Sequence, residues 1–284
     1  IKFEDDSLDG LLTIRNSVMK ELEAQDLNNV FMGLEDWLGS FAALADASGI
    51  ASIERALESS SLTLEPQDFR GTVRRLLSYP GDVNKSLVVR VFEEIFCGPQ
   101  LFEEVYGVRP LFYHGRGLAE DERVILESQT LDQLSFLFGR ANFGVSSGRP
   151  FELARRKLGG ILDRFNRTAL VFLDEMLISP TGFGKDQESA ISLLKPSPFS
   201  LLRSSDGLEP FEYALYIGDS MEDLLMAKEA NQVKPRILFA GVYEYSDCKD
   251  DVLKWFIESR AEVVVPSVNE LPKVLKAVIG EDKE

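Results

Sequence analysis

The sequence predicts an α/β fold: a mostly parallel sheet covered by helices, with an all-helical segment inserted near the N-terminus. Three observations carry this expectation. From about residue 137 onward, short apolar runs rich in β-branched and aromatic residues alternate with stretches of helical periodicity. Between residues 14 and 136 the apolar residues recur at helical spacing, with no useful length of strand alternation. The stretch Tyr213-Ala-Leu-Tyr-Ile-Gly-Asp-Ser-Met-Glu-Asp223 then reads as strand, tight turn and helix start. It leaves Asp219 and Asp223 at the strand's C-terminal edge, where open α/β sheets bind their ligands.

Composition sets the bounds. A chain of 284 residues with 44% hydrophobic and 27% charged residues has the makeup of a globular protein able to bury a core. No apolar run approaches the roughly 18 residues of a membrane helix, so no membrane span is expected. The N-terminal Ile1-Lys-Phe-Glu-Asp-Asp6 lacks the pattern of a secretory signal. Acids outnumber bases 47 to 31, a net charge of −16, which argues against a nucleic-acid surface. Cys97 and Cys248 are far apart and read as reduced core thiols of a cytoplasmic protein rather than as a disulfide or a metal site. His114 is the only histidine, which excludes a histidine-rich zinc site and a paired-histidine relay.

In chain order, the helical region shows four stripes. These are Ile14/Val18/Leu22/Leu27, Phe31/Leu34/Leu38/Phe41, Val73/Leu76/Leu77, and Val88/Val91/Phe92/Ile95/Phe96. Breaks are expected at Ser48-Gly49, Glu65-Pro66, Tyr79-Pro80-Gly81 and Cys97-Gly98-Pro99. Residues 105–118 mix Gly, Pro and aromatics and read as a packed loop. Arg109, His114 and Arg116 are the polar groups of that region to watch. The α/β part begins with a strand Phe143–Ser147 and a helix from Pro150 to Leu162, with Pro150 at a tolerated early position. A strand Ala169–Leu173 ends in Asp174-Glu175, and a Pro/Gly loop leads to a helix through Ile191 and Leu194. The Tyr213 strand and its helix come next. They are followed by a strand over 236–242, a helix over 250–259, a strand over 261–265 and a closing helix over 269–279. Helical connections of this length imply right-handed crossovers and parallel strands.

Three groups of polar residues fall at strand or loop edges. Ser146-Ser147-Gly148-Arg149-Pro150 offers a hydroxyl, backbone N–H groups, a helix start and a guanidinium, all suited to phosphoryl oxygens. An ordinary Ser cap followed by Pro gives the same pattern. Lys195-Pro196-Ser-Pro198 sits where a helix has ended or has yet to begin; its lysine can deliver a point charge into a cleft, or it is a solvated turn lysine. Asp219 and Asp223 suit a hard cation with oxygen ligands, Mg2+ above all, or are an Asp cap and an exposed first-turn acid. Taken together in this order, they outline a metal-assisted phosphate site.

Residues 143–284 resemble the core of the haloacid dehalogenase superfamily, the aspartate-nucleophile phosphatases. Val145-Ser-Ser-Gly-Arg-Pro150 resembles its second motif, Lys195 in Lys-Pro-Ser-Pro its third, and Gly218-Asp-Ser-Met-Glu-Asp223 its fourth. The resemblance implies a Rossmann-like core formed by residues 1–13 and 137–284, with residues 14–136 as a helical cap. It implies that Ser147, Gly148, Arg149 and Lys195 hold the phosphoryl group, and that Asp219 and Asp223 hold Mg2+. Phe102-Glu-Glu-Val-Tyr-Gly107 and Gly117-Leu-Ala-Glu-Asp-Glu122 resemble a phosphatase-like branch found mainly in bacteria and archaea.

The family's first motif, Asp-x-Asp, has its best counterpart in Ser7-Leu-Asp-Gly-Leu-Leu12. There Asp9 takes the acid/base position, where it would also face the metal, and Ser7 replaces the nucleophilic aspartate. A second register, Glu4-Asp5-Asp6, keeps an acid at the first position but loses the Gly and the apolar continuation. The expectation is a Mg2+-dependent phosphohydrolase-like protein acting on a small phosphorylated metabolite. The alternative is a catalytically impaired relative that binds a ligand or a partner, with Ser7 in place of the nucleophile.

Overall fold

The computed structural model describes residue 55, residues 81–178 and residues 193–281. The chain divides into two compact units, and among the described residues the division falls between Glu122 and Arg123.

Among the described residues of the first unit the main element is helix α1, Leu87–Tyr106. Ser86 caps it, its hydroxyl accepting from the N–H of Val89 at 3.2 Å. The break expected at Cys97-Gly98-Pro99 is a kink: Gly98 adopts φ 70°, ψ 169°, and the helix resumes at Pro99. Only glycine fits there, because a Cβ would lie 2.7 Å from the backbone nitrogen of Gly117. The helix ends at Gly107 in the left-handed region. The loop that follows is laid over a buried carboxylate. Glu94 accepts the N–H groups of Leu111 at 2.9 Å, Phe112 at 2.7 Å and Tyr113 at 3.0 Å. Arg90 pairs with the same carboxylate at 2.5 Å and bonds the carbonyl of Arg109.

The second unit is the α/β part, and the α/β class expected from the sequence is what the structure shows. Strand β1, Val145–Ser146, pairs in parallel with β2, Leu170–Val171. Strands β3 (Ala214–Gly218), β4 (Ile237–Val242) and β5 (Val263–Val265) form a second parallel sheet in the order β3-β4-β5. Alternation along β4 explains the layering. Ile237 and Phe239 face a cluster with Leu201, Leu224, Met226, Ala227, Ala230, Val252 and Phe256. These side chains come from α5 (Phe199–Asp206), α6 (Met221–Val233) and α7 (Lys249–Glu258). Ala240 faces the other way, toward Val265 and Leu271 at the start of the closing helix, Leu271–Glu281. Gly241 lets the sheet approach α7, since a Cβ would sit 2.3 Å from the Phe256 ring.

Among the described residues no strand pairs β1 with β3. The joint is α5, which packs on β1, β2 and α6. Residues 1–13, assigned to the core from the sequence, lie outside the described residues.

Four details depart from the sequence reading. Helix α2, Ser128–Phe138, belongs with the α/β unit although residues up to 136 were assigned to the helical insert. Asn269 holds it there: its Oδ1 accepts from the N–H of Glu127 at 3.1 Å and the hydroxyl of Thr130 at 2.8 Å, and its Nδ2 donates to the carbonyl of Ile125 at 2.8 Å. The run after β2 turns helical at once, as α4, Leu173–Ile178. Helix α5 was not foreseen, and Lys195-Pro-Ser-Pro198 is the turn that precedes it. Helix α3, Phe151–Leu158, is shorter than expected and continues as a 3-10 segment, Gly159–Arg164.

Candidate functional site

The site grows out of the turn between β3 and α6. Strand β3 ends at Gly218, and Ser220 takes extended backbone as the N-cap of α6. Its hydroxyl accepts from the N–H of Asp223 at 3.2 Å, and the Asp223 carboxylate reaches back to the N–H of Ser220 at 3.2 Å. This reciprocal capping box fixes the Asp223 side chain by local backbone chemistry. Gly218 makes room for it, since a Cβ there would lie 2.4 Å from the Cβ of Asp223.

Asp223 is the hub of the group. Its Oδ2 accepts from the Ser220 hydroxyl at 2.8 Å and from the N–H groups of Asp219 and Ser220 at 3.2 Å each. Its Oδ1 accepts from Lys195 Nζ at 2.6 Å and from the Tyr216 hydroxyl at 2.7 Å. Burial opposes ionisation of Asp223, but the Lys195 charge and these hydrogen bonds outweigh it and hold the carboxyl below its ordinary range. Tyr216 is pushed the other way, well above the ordinary phenol, by burial and by the adjacent Asp223 charge, so it stays a donor.

Asp219 behaves differently. It is exposed at the strand end. Desolvation at the crowded turn and the charge of Asp223 raise its carboxyl above the usual range, with Lys195 opposing. Glu222, half-buried on the first turn of α6, is raised by burial and by Asp223. A carboxylate that is exposed and pushed toward protonation gains from a cation. Asp219 therefore fits a hard cation as an oxygen ligand. Asp223 fits as the group that orients Lys195, with both its oxygens already engaged by five protein donors. Among the described residues no group of three or more His, Cys, Asp or Glu is placed to hold a metal ion. Asp9, the further ligand expected from the sequence, lies outside the described residues, as does Ser7.

The second group lies at the end of β1. The N–H of Ser147 donates to the carbonyl of Val171 at 3.0 Å, which extends the parallel pairing one residue. Its hydroxyl accepts from the N–H of Arg149 at 3.2 Å, closing a tight turn. Gly148 is exposed, with open space where a side chain would be. The start of α3 is not an open anion site. The carboxylate of Asp174 accepts the N–H of Phe151 at 2.5 Å and already caps it. The anion donors this turn supplies are therefore the Ser147 hydroxyl, the Gly148 N–H and the Arg149 side chain.

A chain of hydroxyls links the two groups. Ser146, next to Ser147, donates to Ser200 at 2.8 Å, and its hydroxyl lies beside that of Tyr216. Thus Lys195, Asp219 and Asp223 come together around Tyr216, and the Ser147 turn joins them through its neighbour. Sequence reasoning missed Tyr216. The only available signal was a phenol in an otherwise apolar strand, whose hydroxyl needs a partner once the ring is buried.

Arg109, His114 and Arg116 belong to the first unit. Arg116 pairs with Glu120 at 2.8 Å and Asp121 at 2.7 Å. Arg109 and His114 line an open cleft of about 530 Å³ with Pro99, Gln100, Glu103, Glu104 and Pro110.

No family model matches the chain, and no curated protein is significantly similar to it. One solved structure is similar, an X-ray structure determined as a Northeast Structural Genomics Consortium target. It is 19% identical, with a TM-score of 0.49 over 68% of this chain. The chain spans about half of that structure's length, 53%.

Proposed function

We propose that this chain carries a haloacid dehalogenase-like phosphate site and acts as a Mg2+-dependent phosphohydrolase-like protein on a small phosphorylated metabolite. The observation that carries the reading is the grouping of Lys195, Asp223 and Asp219 at the C-terminal end of β3, with Lys195 Nζ 2.6 Å from Asp223. Lys195 and the Ser147 hydroxyl hold phosphoryl oxygens, assisted by the Gly148 N–H and Arg149. Asp219 binds the cation, and Asp223 holds Lys195 in place. Bound Mg2+ would neutralise charge on the phosphoryl oxygens. Neither Cys97 nor Cys248 is in a disulfide, which accords with a cytoplasmic protein; Cys97 is buried, whereas Cys248 is exposed and is not the core thiol expected from the sequence. No described helix is long and apolar enough to cross a membrane.

A second reading rests on Ser7. If Ser7 stands at the nucleophile position, no aspartyl intermediate forms, and the chain keeps the site for binding a phosphorylated ligand. One assay separates the two: phosphate release from an aryl phosphate, with and without Mg2+, for wild type, Asp219→Asn and Ser7→Asp. Mg2+-dependent release lost in Asp219→Asn supports the enzyme. Release that appears only in Ser7→Asp supports the impaired site. The proposal falls if neither wild type nor Ser7→Asp releases phosphate and wild type shows no Mg2+-dependent binding of inorganic phosphate.

A further inference from the structure

The geometry points to Tyr216 as a positioning residue that keeps Lys195 available to an anion, an inference that rests on the phosphate-site reading. The two oxygens of Asp223 are used unequally. Oδ2 is consumed by the Ser220 hydroxyl and by two backbone N–H groups of the helix cap. Lys195 therefore has only Oδ1, at 2.6 Å, and it shares that oxygen with the Tyr216 hydroxyl at 2.7 Å. The Tyr216 ring also lies under the lysine, with Nζ 5.9 Å from its centroid.

A carboxylate oxygen that accepts a second strong donor has less charge left for the first. By occupying Oδ1, Tyr216 weakens the hold of Asp223 on the ammonium without removing it. Among the described residues Asp223 is the only hydrogen-bond partner of Lys195. An ammonium has three N–H donors. The Lys195 side chain is 26% exposed, so its remaining donors can turn toward a phosphoryl group. Without the phenol hydroxyl, Asp223 competes with the ligand for the lysine.

The test is Tyr216→Phe, which keeps the ring and removes only the hydroxyl; its fold is checked by thermal unfolding. Two readouts are taken: the hydrogen-exchange rate of the Lys195 ammonium by side-chain 15N NMR, and the affinity for inorganic phosphate in the presence of Mg2+ by calorimetry. The expected result is slower ammonium exchange, because the lysine is held more tightly, and phosphate binding weakened by about tenfold, the scale of one hydrogen bond to a charged group. A purely structural hydroxyl predicts the opposite, a loosened carboxylate and faster exchange; faster or unchanged exchange overturns the proposal. A second measurement uses protein labelled with 3-fluorotyrosine, whose hydroxyl is a stronger donor. Exchange should then speed up in the otherwise unaltered chain, and no change counts against the proposal. If wild type binds no phosphate while exchange still slows in Tyr216→Phe, the phosphate-site reading fails and the sharing of Asp223 stands.

Discussion

Asp219 and Asp223 are four residues apart in one motif, yet replacing each by Asn should have opposite consequences for stability. In Asp223→Asn, an amide nitrogen must face either Lys195 and Tyr216 or the donors of Ser220 and Asp219, because every position around the carboxylate is already a donor. Whichever way it turns, donors are left unpaired and the Lys195 charge loses its partner. Breaking a buried pair from one side costs about 3–5 kcal/mol. The Asp223 side chain is 4% exposed but Lys195 is 26% exposed and keeps some water. The lower end therefore applies, about 3 kcal/mol at pH 7. With a urea slope of about 2 kcal/mol per molar, the midpoint of the transition in the α/β unit falls by roughly 1.5 M. Asp219→Asn should be neutral or slightly stabilising, within about 0.5 kcal/mol, because desolvation at the turn and then the charge of Asp223 disfavour its ionised form. The pH dependence checks the sign. Asp223 lies below its unfolded value, so its contribution is complete above that value and is lost as pH falls through the native one. The gap between wild type and Asp223→Asn should therefore close on acidification. A loss below about 1 kcal/mol for Asp223→Asn, or an equal loss for Asp219→Asn, would refute the assignment of hub and free ligand.

Other changes follow from the same geometry. Gly218→Ala places a methyl 2.4 Å from the Cβ of Asp223; it should destabilise by about 1–3 kcal/mol and weaken phosphate binding, read by urea unfolding and calorimetry. Asn269→Ala removes the contacts that cap α2 from 139 to 144 residues away and should cost about 1–2 kcal/mol, with faster amide exchange confined to 125–131. In the first unit, burial disfavours ionised Glu94 but four donors override it, leaving its carboxyl below the ordinary 4.5. Its contribution is present above 4.5 and is lost as pH falls through the native value. Glu94→Gln should therefore lower stability at pH 7 and remove that part of the acid transition, followed by tyrosine fluorescence.

Strands β3 and β4 were legible because apolar runs bounded by Gly and charged residues have one reading at that length. The start of α6 was legible because Gly218 breaks the apolar run and Asp219-Ser220 is a good helix entry; the capping box between Ser220 and Asp223 emerged only in the structure. Helix α5 was not legible, and the reason is chemical. Three of its inward positions are serines rather than apolar residues: Ser200, Ser204 and Ser205 are buried. They are satisfied by Ser146, by the carbonyl of Ala169 at 2.7 Å and by the carbonyl of Leu202 at 2.8 Å. A helix that buries hydroxyls has no hydrophobic stripe to detect. The placement of α2 was equally hidden, because its tie to Asn269 spans about half the chain and leaves no local signal. In the site, residue types suggested candidate phosphate and cation ligands, but not how their oxygens and donors pair. That depended on which oxygen faces which donor.

That division has a physical origin in the turn itself. The capping box fixes one oxygen of Asp223, Gly218 supplies the space beside it, and Tyr216 and Lys195 close on the other. A carboxylate enclosed by five donors stays ionised and cannot be drawn away without exposing those donors. Its charge is then a fixed element of the site, and its neighbour must respond. Asp219 lies outside the enclosure, desolvated by the same turn and repelled by the same charge. On the proposed function, a cation on its solvent side would relieve it. On that reading, the stability of the helix start and a cation affinity at the strand end would be two effects of one arrangement. A substitution that loosens the cap should weaken cation binding at Asp219 even though it removes no ligand. Ser220→Ala is the simplest such change. It should cost about 1 kcal/mol as a lost cap and also reduce Mg2+ affinity measured by calorimetry. An unchanged Mg2+ affinity in a folded Ser220→Ala protein would separate the two effects and count against this origin.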